Sequence, residues 1–161
     1  MPMPTILYPT RGGRSSYPNQ ERVFALARER QADLLLLYVT NVEFLGLVAR
    51  AKVVDLEEQL DNMGEFLLAM AQERAEQAGV RAETLVRRGE FRQVLGEVVA
   101  EYAVDTVVLG APSEKTGLTT LDFMRTLCAE LSAETGVPFL LVQDGEIVET
   151  FIPSPPEQAD D

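Results

Sequence analysis

Histidine and tryptophan are absent from the 161-residue sequence, and cysteine occurs once, at Cys128. Without histidine the chain has no imidazole to serve as a general base or as a metal ligand. A single cysteine excludes an internal disulfide and a cysteine-based zinc site. Cys128 falls in an apolar helical pattern, so we interpret it as a small core residue rather than a reactive thiol.

Positive charge is scarce. Lysine and arginine together number 14 against 26 aspartates and glutamates, which gives a formal net charge of -12. Binding to nucleic acid or to anionic membranes depends on clustered basic residues, so this balance argues against both. No apolar run approaches the ~20 residues that span a bilayer. The first residues lack the pattern of a signal peptide, so we expect a cytoplasmic protein.

Short apolar runs alternate with amphipathic segments along the chain. The runs predict strands over residues 4–9, 32–40, 81–89, 104–110 and 137–143. The amphipathic segments predict helices over 18–31, 55–78, 90–103 and 121–135, while 43–54 is ambiguous. Such alternation is typical of an α/β fold with a doubly wound parallel sheet. We expect one domain over residues 1–152.

The C-terminal region adds a hairpin and a tail. Asp144-Gly145 lies between two apolar runs, which is a strong hairpin signal. A sixth strand over 146–152 would turn back antiparallel at the sheet edge or pair with a second subunit. The Pro-rich, acidic residues 153–161 are expected to form a disordered tail.

One helix carries a stripe of large apolar residues, Met63, Phe66 and Met70. Helical spacing of this kind usually marks the buried face of a helix, and we therefore expect the stripe to pack in the core. Carboxylates such as Glu73 and Glu76 are interpreted as solvated surface.

Two loops are candidates for a ligand site. In a doubly wound sheet, ligands bind beyond the carboxyl ends of the strands, where the strand order reverses. "PTRGGRSS" follows the first strand and "GAPSEKTG" includes the end of the fourth. Their glycines would let backbone N–H groups approach a phosphate, and Arg11 and Arg14 could add charged contacts. The alternative is that these residues only form turns and helix caps.

An ordered set of segments gives a specific resemblance. "ILYPT", "ADLLLLYVT", "RRGEFRQVLGEVVAEYAVDTVVLGA", "TGL" and "GVPFLLV" together resemble the universal stress protein family of the UspA type. The resemblance implies a Rossmann-like sheet in the order 3-2-1-4-5, a role in the stress response, and a homodimer formed through the C-terminal strand region. It also implies one of two kinds of member, those that bind ATP and those that bind no nucleotide.

The positions that the resemblance assigns to nucleotide binding are altered here. ATP-binding members carry an aspartate where this chain has Arg11, and an arginine can donate hydrogen bonds but not accept them. Of their glycine motif after strand 4, Gly110 is present, Ser113 replaces the second glycine, and the final Gly-Ser or Gly-Thr pair falls on Phe123-Met124 or Met124-Arg125. The candidate nucleotide or anion positions are Pro9, Thr10, Arg11, Gly12, Val39, Gly110, Ser113, Gly117, Met124 and Arg125.

These departures predict a binding or regulatory module without a catalytic site. We expect it to hold no cofactor in the way that the ATP-binding members of the family do, and to act on an unidentified protein partner. The competing interpretation is a sensor of ATP or AMP with an altered phosphate site. The run "GGRSS" also resembles the phosphate loop of ATP pyrophosphatases, but this chain lacks the leading serine and the aspartate of that loop. We also expect the fifth strand to lie at a sheet edge that a second subunit covers.

Overall fold

The computed structural model describes residues 3–10, 16–40, 50–111 and 118–153, with the backbone alone at 50–57 and 118–120. Strands and helices alternate up to the last strand. The elements are β1 (Thr5–Pro9), α1 (Tyr17–Arg30), β2 (Asp33–Thr40), α2 (Arg50–Gln77), β3 (Ala82–Arg88), α3 (Phe91–Glu101), β4 (Thr106–Gly110), α4 (Leu118–Thr135), β5 (Phe139–Gln143) and β6 (Glu146–Phe151).

The six strands form one sheet in the order β3-β2-β1-β4-β5-β6. The first five strands are parallel, and β6 pairs antiparallel with β5. This confirms the predicted doubly wound sheet and its antiparallel edge strand. Because crossovers between parallel strands are right-handed, the reversal of direction after β3 puts α1 and α2 on one face and α3 and α4 on the other.

The core lies on both faces of the sheet. In β2, Leu34 and Leu36 pack on the face that α1 and α2 cover, and Leu35 and Leu37 pack on the face that α3 and α4 cover. All four are buried. Burial on both faces explains why the sequence shows a continuous apolar run here rather than an alternation.

A tight turn and a bulge place β6. Asp144 and Gly145 both have positive φ angles, 52° and 83°, as a type I′ turn requires. The β5–β6 register shifts at Leu141/Val142. As a result Ile147 packs towards the face of α1, while Phe151 packs on the face of α4. The edge strand on this side of the sheet is therefore β6, and the expectation that β5 forms that edge is wrong.

Helix α2 departs from its prediction in its start and in its buried face. It begins at Arg50 and takes in part of the segment that was ambiguous; residues 41–49 lie outside the description. Met63, Phe66 and Met70 are 51%, 60% and 41% exposed, so the expectation that this stripe is core is wrong. The buried face is instead formed by one leucine and three small residues, namely Leu68, Gly64, Ala71 and Ala75. Small side chains let the helix lie close to the sheet, which turns the larger side chains outward.

The other boundaries agree with the sequence to within a few residues. α4 starts at Leu118, three residues before its predicted start. Of the tail predicted over 153–161, residues 154–161 lie outside the described residues. Within the part of the chain that the structure describes, no helix is both long and apolar enough to cross a membrane.

Cys128 is buried on α4, as predicted. Burial, with a smaller contribution from the negative charge of Glu149, raises the pKa of its thiol to about 12, from an ordinary value of 9.0. We expect the native protein to resist thiol reagents at pH 8 and to react once unfolded in urea. Because the unfolded thiol ionises at lower pH, folding should also weaken as the pH rises from about 9 towards 12. Fast labelling of the native protein would contradict this.

Candidate functional site

The carboxyl ends of the parallel strands meet at one edge of the sheet. β1 ends at Pro9, and the backbone N–H of Thr10 donates to the carbonyl of Leu37 in β2 over 2.8 Å. β4 ends at Gly110, and the next N–H, from Ala111, donates to Val142 of β5 over 2.8 Å. The chain leaves β1 and β4 towards opposite faces, so the crevice where this fold holds ligands lies between these two strand ends.

The base of this edge is polar and closely packed. Tyr8 and Asn19 are both buried, Tyr8 at the end of β1 and Asn19 in the first turn of α1. A Cβ atom at Gly110 would lie 3.2 Å from Asn19 Nδ2 and 3.5 Å from the hydroxyl of Tyr8. Gly110 therefore has a packing role, because a side chain there would crowd Asn19 and Tyr8.

The phenol of Tyr8 is held in its neutral form. Burial raises its pKa above the ordinary value, and a hydrogen bond with the side chain of Thr10 lowers it by a smaller amount. The hydroxyl of Tyr8 therefore serves as a neutral hydrogen-bonding group near the carboxyl end of β1, and not as an anionic base at neutral pH.

Asn19 also connects α1 to the β5–β6 hairpin. Its Oδ1 accepts a hydrogen bond of 2.9 Å from the backbone N–H of Gly145. At Gly145 a Cβ atom would lie 3.3 Å from the carbonyl oxygen of Pro18. The hairpin turn thus rests on the first turn of α1, beside the candidate site.

Replacing Asn19 by alanine is expected to lower the free energy of unfolding by about 1 kcal/mol, because the partly buried N–H of Gly145 loses its acceptor. Urea denaturation measures the change. Asn62→Ala, at an exposed position of α2, is the matched control and should be close to neutral. Equal effects of the two substitutions would contradict the role of Asn19.

Arg125 is committed to other contacts. Its Nε donates to Glu149 of β6 over 2.9 Å, and its Nη1 lies 3.6 Å from Asp122 in the same helix. The pair joins α4 to the edge strand. Its neighbour Met124 packs against the core between the sheet and α3–α4, as does Val39 of β2.

The predicted site residues are thus distributed over different surroundings. Pro9, Thr10 and Gly110 lie at the ends of β1 and β4, with Gly110 facing α1. Val39 and Met124 belong to the opposite face, and Arg125 is paired with β6. The remaining candidate positions from the sequence lie outside the described residues, namely Arg11, Gly12, Arg14, Ser113 and Gly117.

Between the ends of β1 and β4, the described polar side chains offer hydrogen bonds. They are those of Tyr8, Thr10 and Asn19, which supply a neutral phenol, a hydroxyl and an amide. A search of the described residues for three or more clustered metal-ligating side chains gives none. Such groups suit the recognition of a polar ligand.

Sequence reasoning missed Tyr8, Asn19 and Glu149. Tyr8 carries one usable signal, since an aromatic residue with a polar tip ends a buried strand beside a glycine-containing loop. Asn19 looks like an ordinary residue of a helix start. Glu149 is 24 residues from Arg125, and no local pattern indicates that they pair.

The family model described as "Universal stress protein family" matches residues 3–127. The chain belongs to the universal stress protein family. The match includes β1 to β4 and both loops of the candidate site. It confirms the resemblance drawn from the sequence. A search of curated proteins gives no match.

Solved universal stress proteins share the fold at low sequence identity. One from Burkholderia pseudomallei has a TM-score of 0.62 at 17% identity, with 86% of this chain and 94% of that chain covered. A universal stress protein in complex with cAMP has a TM-score of 0.58 at 18% identity, covering 89% and 99%. One from Arabidopsis thaliana with AMP bound has a TM-score of 0.56 at 17% identity, covering 98% and 99%.

Proposed function

We propose that this universal stress protein is a cytoplasmic binding or regulatory module of the stress response that does not hold ATP in the manner of the family's ATP-binding members. The observation that carries the proposal is Arg11, directly after Pro9-Thr10, where those members have an aspartate. An arginine offers a nucleotide only donors, so an adenosine group would lose its acceptor at this position.

The contacts of Arg125 support the same proposal. In one of the two alignments of the family's glycine motif, Met124 and Arg125 take the place of the small residue pair that lets a triphosphate lie against the backbone; in the other, Phe123 and Met124 do. The guanidinium of Arg125 is bonded to Glu149 and lies near Asp122. To bind a phosphate it would have to leave both carboxylates, so it is a poor candidate for a phosphate ligand.

The loop after β1 keeps features that suit a small anion. Gly12 and Gly13 preserve the freedom of the backbone to present N–H groups, and Arg11 and Arg14 supply positive charge in a chain of net charge -12. We therefore propose an inherited phosphate loop whose ligand is a compact anion such as inorganic phosphate.

A second candidate function is that of an AMP or ATP sensor with an altered phosphate site. The observation that favours it is the presence of AMP and cAMP in two structures of the same fold. The polar groups at the base of the edge, those of Tyr8, Thr10 and Asn19, could then take part in binding the nucleotide.

Two measurements decide between these functions. Mass spectrometry of small molecules released from the denatured, purified protein should find no stoichiometric adenine nucleotide. Calorimetry should then give weak or undetectable binding of ATP and AMP and measurable binding of phosphate. A stoichiometric adenine nucleotide, or tight ATP binding, would establish the sensor instead.

The variant Arg11→Asp tests the residue directly. It restores an acceptor and removes a cation, so we expect about tenfold tighter binding of adenosine and about tenfold weaker binding of phosphate. Arg81→Asp changes the net charge by the same amount just before β3, at the amino ends of the strands. It should leave both affinities unchanged. If both variants act alike, the effect is general electrostatics and the role of Arg11 is wrong.

We also propose that the protein forms a homodimer through β6. This strand has one hydrogen-bonding edge paired with β5, and the exposed Val148 and Ile152 lie along and just beyond it. Pairing with a second β6 across a two-fold axis would cover that edge. Light scattering at micromolar concentration should give a dimer, which Val148→Lys should weaken. A monomeric wild type would show that the proposal is wrong.

A further inference from the structure

The outer face of α2 carries three large apolar side chains in contact with solvent. Met63, Phe66 and Met70 follow one another at i, i+3 and i+7, and all three are exposed. We call them the α2 stripe. Residues at this spacing lie on one side of a helix, so the stripe is a continuous apolar surface rather than scattered single residues.

The α2 stripe has no role in the core of the domain. The helix already buries its opposite side, with Leu68, Ala71 and Ala75 packed against the sheet. A contiguous apolar surface of this kind usually marks a protein interaction site, whereas a single exposed apolar residue needs no explanation. Its spacing of three and four residues is also that of the seam through which one helix packs against another.

Acidic residues border the α2 stripe. Glu58, Glu65 and Glu76 are exposed along one side of the stripe. Glu73 is also exposed, and it lies in line with the stripe, just after Met70. Arg74 is the basic residue of α2 whose side chain is described. It turns towards α1, where its guanidinium lies 3.6 Å from the ring centroid of Tyr17.

From this combination we propose that the α2 stripe is the docking surface for an amphipathic helix of another protein, one with an apolar seam and a basic flank. The apolar seam would cover Met63, Phe66 and Met70, and lysines or arginines would face the glutamates. Methionine side chains adapt to differently shaped partners, which suits a regulatory module.

Charge argues against the two other occupants of such a surface. A second copy of this chain would bring a second acidic flank against the first, which is unfavourable in helix pairing. An anionic membrane would be repelled in the same way by the glutamates beside the stripe. This proposal concerns the outer face of α2, and it holds whether or not the candidate site at the ends of β1 and β4 binds a nucleotide.

The test uses two synthetic helical peptides and the full chain. Both peptides carry three heptads with leucine at a and d, and they differ only in lysine or glutamate at e and g. Calorimetry at an ionic strength of about 0.15 M should show binding of the lysine peptide and at least tenfold weaker binding of the glutamate peptide. No binding of the lysine peptide at ~100 μM would overturn the proposal.

Matched variants separate the stripe from general charge attraction. Phe66→Ser should weaken binding of the lysine peptide at least tenfold, as the loss of a central aromatic residue does in other interfaces. Phe123→Ser on α4 is the control, since Phe123 is 62% exposed against 60% for Phe66. It should have no effect. Circular dichroism and urea denaturation check that both variants are folded.

The acidic flank is tested in the same way. Glu58→Lys/Glu65→Lys should weaken binding of the lysine peptide and reduce the salt dependence of that binding. The control is Glu29→Lys/Glu83→Lys, which makes the same charge change on α1 and β3 and should have a smaller effect. Three further results would overturn the proposal: equal binding of the lysine peptide by wild type and Phe66→Ser, a self-association of the chain that Phe66→Ser abolishes, or binding to vesicles of phosphatidylserine and phosphatidylcholine that depends on Phe66.

Discussion

Replacing Arg74 by alanine is expected to lower the free energy of unfolding by about 2–3 kcal/mol. Its guanidinium lies against the ring of Tyr17, donates to the side-chain oxygen of Gln20, and pairs with Glu21 over 3.0 Å. Gln20 is only 1% exposed, so the substitution leaves a buried amide oxygen without its donor. The exposed Glu21 contributes little.

Thermal unfolding of Arg74→Ala should therefore shift by about 5–10 °C, given the usual change of 2–4 °C per kcal/mol for a chain of this size. Arg74→Met keeps the aliphatic stem but not the donor, and it should recover only part of the loss. Arg92→Ala is the control, because Arg92 pairs with Glu130 and Glu134 on the surface. It should leave the midpoint unchanged within error. Equal shifts in Arg74→Ala and Arg92→Ala would contradict the importance of burial at Gln20.

The sequence predicted the sheet well because its signals are local. Each buried strand is a short apolar run, and the Asp144-Gly145 pair adopts the two positive φ angles that its residue types favour. Right-handed crossovers leave few ways to arrange alternating strands and helices. The resemblance to a known family then selected the strand order, which the structure and the family model confirm.

The face of α2 could not be predicted because the helix has two apolar stripes. Met63, Phe66 and Met70 are the larger set, and the usual rule puts the larger set inside. The structure buries Leu68, Ala71 and Ala75 instead. Which stripe faces the sheet depends on how closely the helix must approach β2 and β3, and that distance is a property of the assembled domain.

The candidate site was predicted only in its position. The carboxyl ends of β1 and β4 follow from the topology, but the contacts there join residues that are far apart in sequence. Gly145 is 126 residues from Asn19, and Glu149 is 24 residues from Arg125. The spacing of the family's glycine motif would place Arg125 near a phosphate, whereas in the folded chain its guanidinium is hydrogen-bonded to the carboxylate of Glu149. Pairings of this kind depend on the arrangement of α1, α4 and β6 around the sheet.

Gly64→Ala is expected to destabilise the protein, although alanine normally favours a helix. A Cβ atom at Gly64 would lie 2.6 Å from Cδ1 of Tyr38 and 2.9 Å from its Cγ. Relieving this overlap requires α2 to move away from β2 or the ring to turn, at a cost of about 1–3 kcal/mol. The gain in helix propensity, up to about 1 kcal/mol, offsets only part of it.

Gly96→Ala in α3 provides the matched comparison. A Cβ atom there has no neighbour within 4 Å, so the substitution should raise the free energy of unfolding by about 0.5–1 kcal/mol. Urea denaturation should thus separate the two glycine variants by about 2 kcal/mol. Adding Gly64→Ala to a Tyr38→Val background removes the ring, and there the substitution should become neutral or stabilising. If Gly64→Ala costs the same with and without the Tyr38 ring, the close approach of α2 to β2 is not what requires a glycine.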